Sequence, residues 1–241
     1  MSLTAAEIAS YSPDYFMING VSCTTVGLYC DTPSIPPMAE QRYTDYEVGA
    51  DEDGCIPDDS FKDISYTIKA YCFGETTDFN NNDVYAFLSG AKTLQISRYS
   101  GYYFKVKKIS AITPTTNHDG KRVDYQIKFT LAPFKYSTDN EAISLENGGI
   151  IMNNGSRYSK PLLTVTGTGT VVINCNGDTM TLNNLDGTAV TVDSTRLIAY
   201  KGTTLINSQV DGVYPMLASG QNLISWTGTA TIALQKNERW Y

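Results

Sequence analysis

Histidine and long apolar stretches are scarce in this sequence of 241 residues. A catalytic centre that needs an imidazole base would have to use His118, the single histidine, and its neighbours Asn117, Asp119 and Gly120 predict an exposed polar turn. Such a turn holds a base poorly in position. No apolar run reaches the roughly 18 residues of a membrane helix. We therefore expect a protein that is not an enzyme and is not inserted in a membrane.

Basic residues are also few, with 18 against 25 acidic residues, a net charge of −7 and a pI near 4.7. A phosphate backbone would be repelled by this balance, so we expect no specific nucleic-acid binding. A local basic stretch, Lys105, Lys107 and Lys108, alternates with Val106 and predicts the exposed face of a strand.

The cysteine residues lack the number and spacing that are typical of disulfide frameworks and zinc sites. The five cysteines are odd in number and contain no CxxC pair, so the sequence indicates neither a disulfide framework nor a zinc site. We expect buried free thiols and no cofactor or metal. Residues Met1–Ser12 lack the basic and apolar regions of a signal peptide, so we expect synthesis in the cytoplasm.

Two stretches alternate hydrophobic and polar residues, the pattern of strands with one buried face. The hydrophobic positions are even-numbered from Asp63 to Cys72 and odd-numbered from Asp124 to Leu131. Between them, Asn82–Gly90 predicts a short helix that buries Val84, Phe87 and Leu88. A second helical segment is predicted at Thr4–Ser10.

The composition changes after about Tyr136, where a polar, turn-rich segment is followed by short runs of Thr, Val, Gly and Asn. We place a domain boundary there, with an N-terminal domain at 1–137 and a C-terminal domain at 138–241. The second half predicts a β-sandwich of short strands at Leu162–Thr166, Thr170–Cys175, Thr179–Leu182, Ala189–Val192, Arg196–Tyr200, Asn222–Trp226 and Thr229–Leu234.

Two glycine-containing segments predict tight turns in that half. Asn176-Gly177 lies between two strands and supplies the positive φ angles of a hairpin. Gly167–Thr170 lacks the lysine and the following helix of a phosphate-binding loop, so we predict a second hairpin turn there.

An acidic stretch, Asp51-Glu52-Asp53-Gly54 with Asp58 and Asp59, has the carboxylates that calcium prefers but not the spacing of an EF-hand. It predicts a solvent-exposed hairpin tip. No pair of acids suited to glycoside hydrolysis stands out.

Tyrosine is enriched, at 17 residues. Its clusters, Tyr43 with Tyr46 and Tyr99 with Tyr102 and Tyr103, are compatible with cross-strand packing, a protein interface or a sugar-binding surface. The sequence alone names no binding residue.

The order of short motifs resembles the phage distal tail protein (Dit) family. In the first half the resemblance rests on Phe16–Gly20, Thr32–Pro37, Val48–Gly54, Ile64–Cys72, Val84–Ser89, Tyr103–Val106 and Phe129–Phe134. In the second half it rests on Asn154–Ser156, Ser159–Pro161, Val192–Ser194, Pro215–Leu217, Gly220–Trp226 and Arg239–Trp240. The hairpin at Ala50–Gly54 is more acidic than the usual form of that family.

This resemblance implies an all-β protein with two β-sandwich domains, the first decorated with a helix and a hairpin and the second galectin-like or carbohydrate-module-like. It also implies a hexameric ring at the tip of a virion tail, between the tail tube protein and the tail-tip hub protein. The alternative function is that of a carbohydrate-binding module or receptor-binding protein that recognises cell-surface glycan. A glycosidase is a further alternative, which the residues support less.

Overall fold

The computed structural model describes residues 14–47, 53–73, 81–116 and 122–241. The chain divides into two compact units, Met1–Lys135 with Tyr241 and Tyr136–Trp240. The predicted helix at Thr4–Ser10, the turn around His118 and most of the acidic hairpin tip lie outside the described residues. The division into domains at residue 137 remains a prediction, because compactness alone does not show independent folding.

Strands dominate both units, and the all-β fold class predicted from the sequence is confirmed. The first unit has strands β1 Phe16–Ile18, β2 Val21–Ser22, β3 Tyr29–Cys30, β4 Gln41–Glu47, β5 Asp53–Phe61, β6 Ile64–Phe73, β7 Thr93–Ile96, β8 Tyr102–Thr116 and β9 Arg122–Ser137, helix α1 Asn81–Leu88 and 3₁₀ turns Cys23–Val26 and Ser97–Tyr99. The second has β10 Ile143–Ser144, β11 Gly149–Asn153, β12 Leu162–Cys175, β13 Asp178–Asp186, β14 Val190–Asp193, β15 Ile198–Lys201, β16 Thr204–Leu205, β17 Val210–Gly212, β18 Gly220–Gln235, β19 Arg239–Trp240 and a 3₁₀ turn Asn207–Gln209.

The main sheet of the first unit has the strand order β2-β1-β7-β8-β9-β6-β3, and the buried hydrophobic residues of this unit form one core. The predicted alternation is confirmed in β6, where every second residue from Ile64 to Cys72 is buried, and in β9, where Val123 to Leu131 alternate in the same way. Because β6 and β9 pair in antiparallel register, with Ile68 opposite Ile127, their hydrophobic rows form one continuous face.

Helix α1 lies close to the predicted position. It begins at Asn81 and buries Val84 and Leu88, which are one turn apart on the same face. Phe87 is half-buried and its ring contacts the ring of Phe16 at 6.1 Å between centroids. The helix ends before Gly90, whose φ of +68° is a conformation that glycine adopts without strain.

The second unit is a two-layer sandwich in which the long strands β12 and β18 belong to both layers. The first half of β12 pairs with β14, its second half pairs with β13, and β18 pairs with both halves. The register shifts between Gly169 and Val171, where the chain bends from one layer to the other. The predicted hairpin turn at Gly167–Thr170 is therefore wrong. The strands predicted at Leu162–Thr166 and Thr170–Cys175 are parts of one strand, β12. Those predicted at Asn222–Trp226 and Thr229–Leu234 are parts of one strand, β18.

The Asn176-Gly177 hairpin is confirmed. Cys175 pairs with Asp178 across it, and the two turn residues have φ angles of +55° and +102°. Both positive angles are those of a type I′ turn, which matches the twist of the strands it joins. The strands of this unit enclose a core of their own, which includes Leu163, Ile173 and Leu234.

Candidate functional site: an acidic arm and a basic groove

Strands β4 and β5 form a two-stranded sheet of their own, which we call the arm (residues 41–61). Tyr43 pairs with Pro57 and Glu47 pairs with Asp53, so the hairpin predicted in this region is present, although residues 48–52 at its tip are not described. Its strands are exposed along most of their length. An isolated hairpin is marginally stable in water, so a feature of this kind gains stability by packing against something else.

The sequence of the arm accounts for most of the net negative charge of the protein. Residues 41–61 contain seven carboxylates and one arginine, a net charge of −6 against −7 for the whole chain. At the base of the arm, Lys62 Nζ lies 2.7 Å from Glu40 Oε1. The described carboxylates Asp45, Glu47, Asp58 and Asp59 are exposed. Exposed negative charge of this density attracts a basic partner and repels a second acidic surface.

Large apolar side chains are exposed beside these carboxylates. Tyr43, Tyr46 and Ile56 expose 54%, 47% and 57% of their surface. The Tyr46 ring lies over Gly54, where a Cβ would be 2.5 Å from its Cζ atom. Exposed aromatic and aliphatic groups among charges are typical of protein interfaces.

A second surface of the first unit has the opposite character, and we call it the groove. It has a volume of about 480 Å³ and lies between the C-terminal turn of α1 and strand β8, lined by Tyr85, Leu88, Lys107, Lys108, Ile109 and Ile112. The two lysines are exposed, and the isoleucines are half-buried against the core. Lys107 Nζ lies 2.6 Å from a carboxylate oxygen of Asp63.

The groove also borders a free strand edge. Val106 donates its N–H to Lys92 O at 2.8 Å, and the ladder between β7 and β8 goes no further. Within the described strands, β8 from Lys107 to Thr116 has no partner on that side. Exposed N–H and C=O groups of this kind can accept an additional strand.

The lysines of β8 were predicted to lie on a solvated strand face. That helix α1 lines the same groove was not predicted, because no local pattern relates the helix to these lysines. The acidic stretch was predicted to be a hairpin tip, and a hairpin is present, but the described acids of this stretch lie along strand β5. Asp58 and Asp59 lie in β5, whereas Asp51 and Glu52 are not described. The run of seven carboxylates in 21 residues is the signal that marks the arm.

The two tyrosine clusters have different environments. Tyr43 and Tyr46 are exposed on the arm, whereas Tyr99, Tyr102 and Tyr103 are half-buried. The Lys135 ammonium lies 5.1 Å from the ring centroid of Tyr99, a cation–π contact. The second cluster therefore contributes to packing inside the first unit.

Four of the five cysteines are buried, as predicted, and Cys55 is exposed on the arm. Burial raises the pKa of the Cys72 thiol to about 12 and that of Cys175 to about 11. The Cys30 thiol donates a hydrogen bond to Cys23, which lowers the pKa of Cys23. Among residues 14–47, 53–73, 81–116 and 122–241, no group of three potential ligands could hold a metal ion.

In the second unit, two arginine side chains contact the ring of Tyr158. The guanidinium groups of Arg157 and Arg239 lie 5.1 Å and 4.3 Å from its ring centroid. The buried Glu238 accepts hydrogen bonds from Lys236 and from the N–H of Asn154. These contacts hold the Asn154 turn in place.

No helix in the described part of the chain is long and apolar enough to cross a membrane.

These features define an all-β protein with exposed surfaces suited to association. A model of the mitochondrial biogenesis AIM24 family matches residues 93–236, and the chain belongs to this family. The assignment to the phage distal tail protein family, based on the order of motifs, is therefore wrong. Those motifs are short strand and turn segments, which unrelated chains of similar fold can share.

A comparison with curated proteins finds no match. Among solved structures, the chain is similar to the Dit protein of phage SPP1, described as a paradigm of the hub adsorption apparatus in phages that infect Gram-positive bacteria. The TM-score is 0.68 at 13% identity, and the similarity covers 95% of this chain and 99% of that chain. At this identity the likeness shows a shared fold.

Proposed function

We propose that the protein is a structural component of a phage or prophage tail tip, where it forms a ring that joins the tail tube to the tail-tip hub. The observation that carries the proposal is the likeness to the Dit protein, which extends over 95% of this chain and therefore includes both units. A likeness limited to one β-sandwich would support much less, since such domains occur in proteins of many functions.

The surfaces of the first unit support an assembling role. A closed ring of identical subunits needs two different, complementary patches on each subunit. The arm and the groove differ in charge, and each has a free strand edge and exposed apolar groups. We further propose that the ring is a hexamer located at the virion tail tip.

We also propose that the protein is not an enzyme. The buried thiols of Cys72 and Cys175 and the buried phenol of Tyr66 have raised pKa values, which keep them protonated near neutral pH. Protonated thiols and phenols are poor nucleophiles, so these buried groups are better suited to core packing than to catalysis.

Glycan recognition is the less favoured function for the second unit. Sugar binding commonly uses an open aromatic face, and two guanidinium groups lie over the ring of Tyr158. The geometry therefore favours a structural role for this cluster.

The test uses the purified full chain. We expect its mass by light scattering after gel filtration to reach that of six subunits as concentration increases, and negative-stain images to show six-fold rings. Immunogold labelling of phage particles from cells that encode the chain should then mark the tail tip. Label on cell structures with none on particles would refute the tail function, even if rings form in solution.

A further inference from the structure

Four Asn-Gly pairs occur in this chain, at residues 19–20, 147–148, 154–155 and 176–177. In such a pair the backbone nitrogen of the glycine can attack the side-chain carbonyl carbon of the asparagine, because glycine has no side chain to hinder the approach. We propose that Asn154 is a site of spontaneous deamidation in the folded protein, and that the other three asparagines are protected by their hydrogen bonds. The co-reactant is water.

The reaction has two balanced steps. The Gly155 nitrogen forms a bond to Cγ of Asn154 and loses its proton, while the C–N bond of the side-chain amide breaks and ammonia leaves with that proton. Water then opens the resulting cyclic succinimide at one of its two carbonyl carbons. One opening gives an ordinary aspartate, and the other gives an isoaspartate, in which the main chain runs through the β-carbon. Both products carry one negative charge more than the asparagine.

Asn19 is held at both ends of its side-chain amide. Its Oδ1 accepts the N–H groups of Lys92 and Thr93 at 2.8 and 3.1 Å, and its Nδ2 donates to Gly90 O at 3.1 Å. The pair also forms the two-residue turn between β1 and β2, with φ angles of +52° and +82°. Attack by the Gly20 nitrogen would therefore have to break these hydrogen bonds and change the turn.

Asn147 and Asn176 are held in a similar way. Asn147 donates to Trp226 O and accepts the N–H of Trp226, both at 2.8 Å. Asn176 donates to Asn222 Oδ1 at 2.7 Å and accepts the Leu223 N–H at 2.9 Å. Because each amide must lose two partners before it reacts, deamidation should be at least about tenfold slower than at a free amide.

The Asn154 side chain is exposed and makes no hydrogen bond within the part of the chain that the structure describes. Its main chain is held, since its N–H donates to Glu238 Oε1 at 2.9 Å and its carbonyl accepts the Trp240 Nε1–H at 3.1 Å. The Gly155 nitrogen donates to Asn153 Oδ1 at 2.9 Å, and the glycine nitrogens of the pairs at 147–148 and 176–177 also have acceptors. The free amide is therefore what distinguishes Asn154 from the other sites.

Isoaspartate at residue 154 would change the main chain as well as the charge. The extra main-chain carbon separates the N–H that binds Glu238 from the carbonyl that binds Trp240, so both bonds cannot keep their geometry. The new carboxylate also adds a negative charge near the buried Glu238. Deamidation should therefore lower the melting temperature of the protein as it ages.

The test incubates the purified full chain at pH 9 in water enriched in oxygen-18, once folded and once unfolded in urea. Opening of the succinimide fixes the heavy oxygen, so peptide mass spectrometry identifies each asparagine that reacted during the incubation and not during digestion. In the folded chain, Asn154 should gain label at least about tenfold faster than each of the other three. In urea all four should react at similar rates, because the hydrogen bonds are absent.

Two variants separate the chemistry from its consequence. Asn154→Gln keeps an exposed amide, but its longer side chain would have to close a larger ring, so residue 154 should gain no label and the melting temperature should stay constant during incubation. Asn154→Asp adds the charge to an ordinary main chain. Its melting temperature should decrease less than that of the aged wild-type chain.

The outcomes are distinct. Faster label at Asn154 in the folded chain, with similar rates at all four sites in urea, supports the proposal. Equal or faster label at another of the four sites in the folded chain overturns it, and so does an unlabelled Asn154 in the folded chain after all four sites of the unfolded chain have reacted. A preference for Asn154 that persists in urea overturns the protection by hydrogen bonds. An unchanged melting temperature in the fully labelled chain overturns the loss of the two main-chain contacts.

Discussion

Gly228 lies directly against the carbonyl oxygen of Thr170, so closely that a Cβ atom at residue 228 would overlap that oxygen. The contact is at the bend where β12 and β18 pass together from one layer of the second unit to the other. Two backbones can approach in this way because glycine lacks a side chain and adopts a φ of +90°. The bend therefore depends on this residue.

The variant Gly228→Ala should be strongly destabilising. An alanine there would have to adopt a positive φ and would also clash with backbone, so we expect a loss of about 3 kcal/mol or more in the free energy of unfolding. Gly169→Ala is the control, since its φ is +73° but the space around it is open. It should lose about 1 kcal/mol. Equal losses in urea denaturation would mean that the close approach does not matter.

One thiol should react in the folded protein. Cys55 is exposed, whereas Cys23, Cys30, Cys72 and Cys175 are buried. We expect a maleimide to add once to the native chain and five times in denaturant, as counted by mass spectrometry. Cys55→Ser should remove the native addition. A second rapid addition to the native chain would show that one of the buried sites opens readily.

Alkaline pH should destabilise the first unit partly through Tyr66. Its hydroxyl donates a hydrogen bond to Ser34 O at 2.7 Å, and burial raises its pKa from 10.0 to about 12. A group with a raised folded-state pKa contributes its full stability below pH 10 and loses it as pH rises towards 12.

Between pH 10 and 12 the free energy of unfolding should therefore decrease by up to about 1.4 kcal/mol per pH unit from this residue. The measurement is urea denaturation at pH 9 and pH 11 for the wild-type chain and for Tyr66→Phe. The variant should be less stable at pH 9 by about 1 kcal/mol, because it lacks the hydrogen bond, but should decline less at high pH. Parallel declines would assign the effect to other groups.

The second unit should fold without the first. It has its own core, which includes Leu163, Ile173 and Leu234, and its two layers share long strands. Residues 138–240 expressed alone should unfold in a single cooperative transition with a strand-rich circular dichroism spectrum. The control is the full chain, which should show a transition at the same temperature. Aggregation or a non-cooperative transition would argue against the proposed domain boundary.

The sequence by itself determined the local elements. Alternation identified β6 and the central part of β9, the two-residue turn Asn176-Gly177 specified its hairpin, and Asn82–Gly90 predicted α1 to within a residue or two. These features depend on neighbours in the chain, since a period of two residues or a positive φ acts locally. Because most of these predicted local elements are strands, together they predict the all-β class.

Only the tertiary structure decided what lies between these elements. Gly167–Thr170 has the composition of a turn, yet pairing with β18 on one side and with β13 and β14 on the other keeps β12 continuous through it. The exposure of Cys55 and the basic groove at Lys108 also depend on which strands and helices pack nearby. Such contacts join residues far apart in the chain, and no local pattern of polarity specifies them.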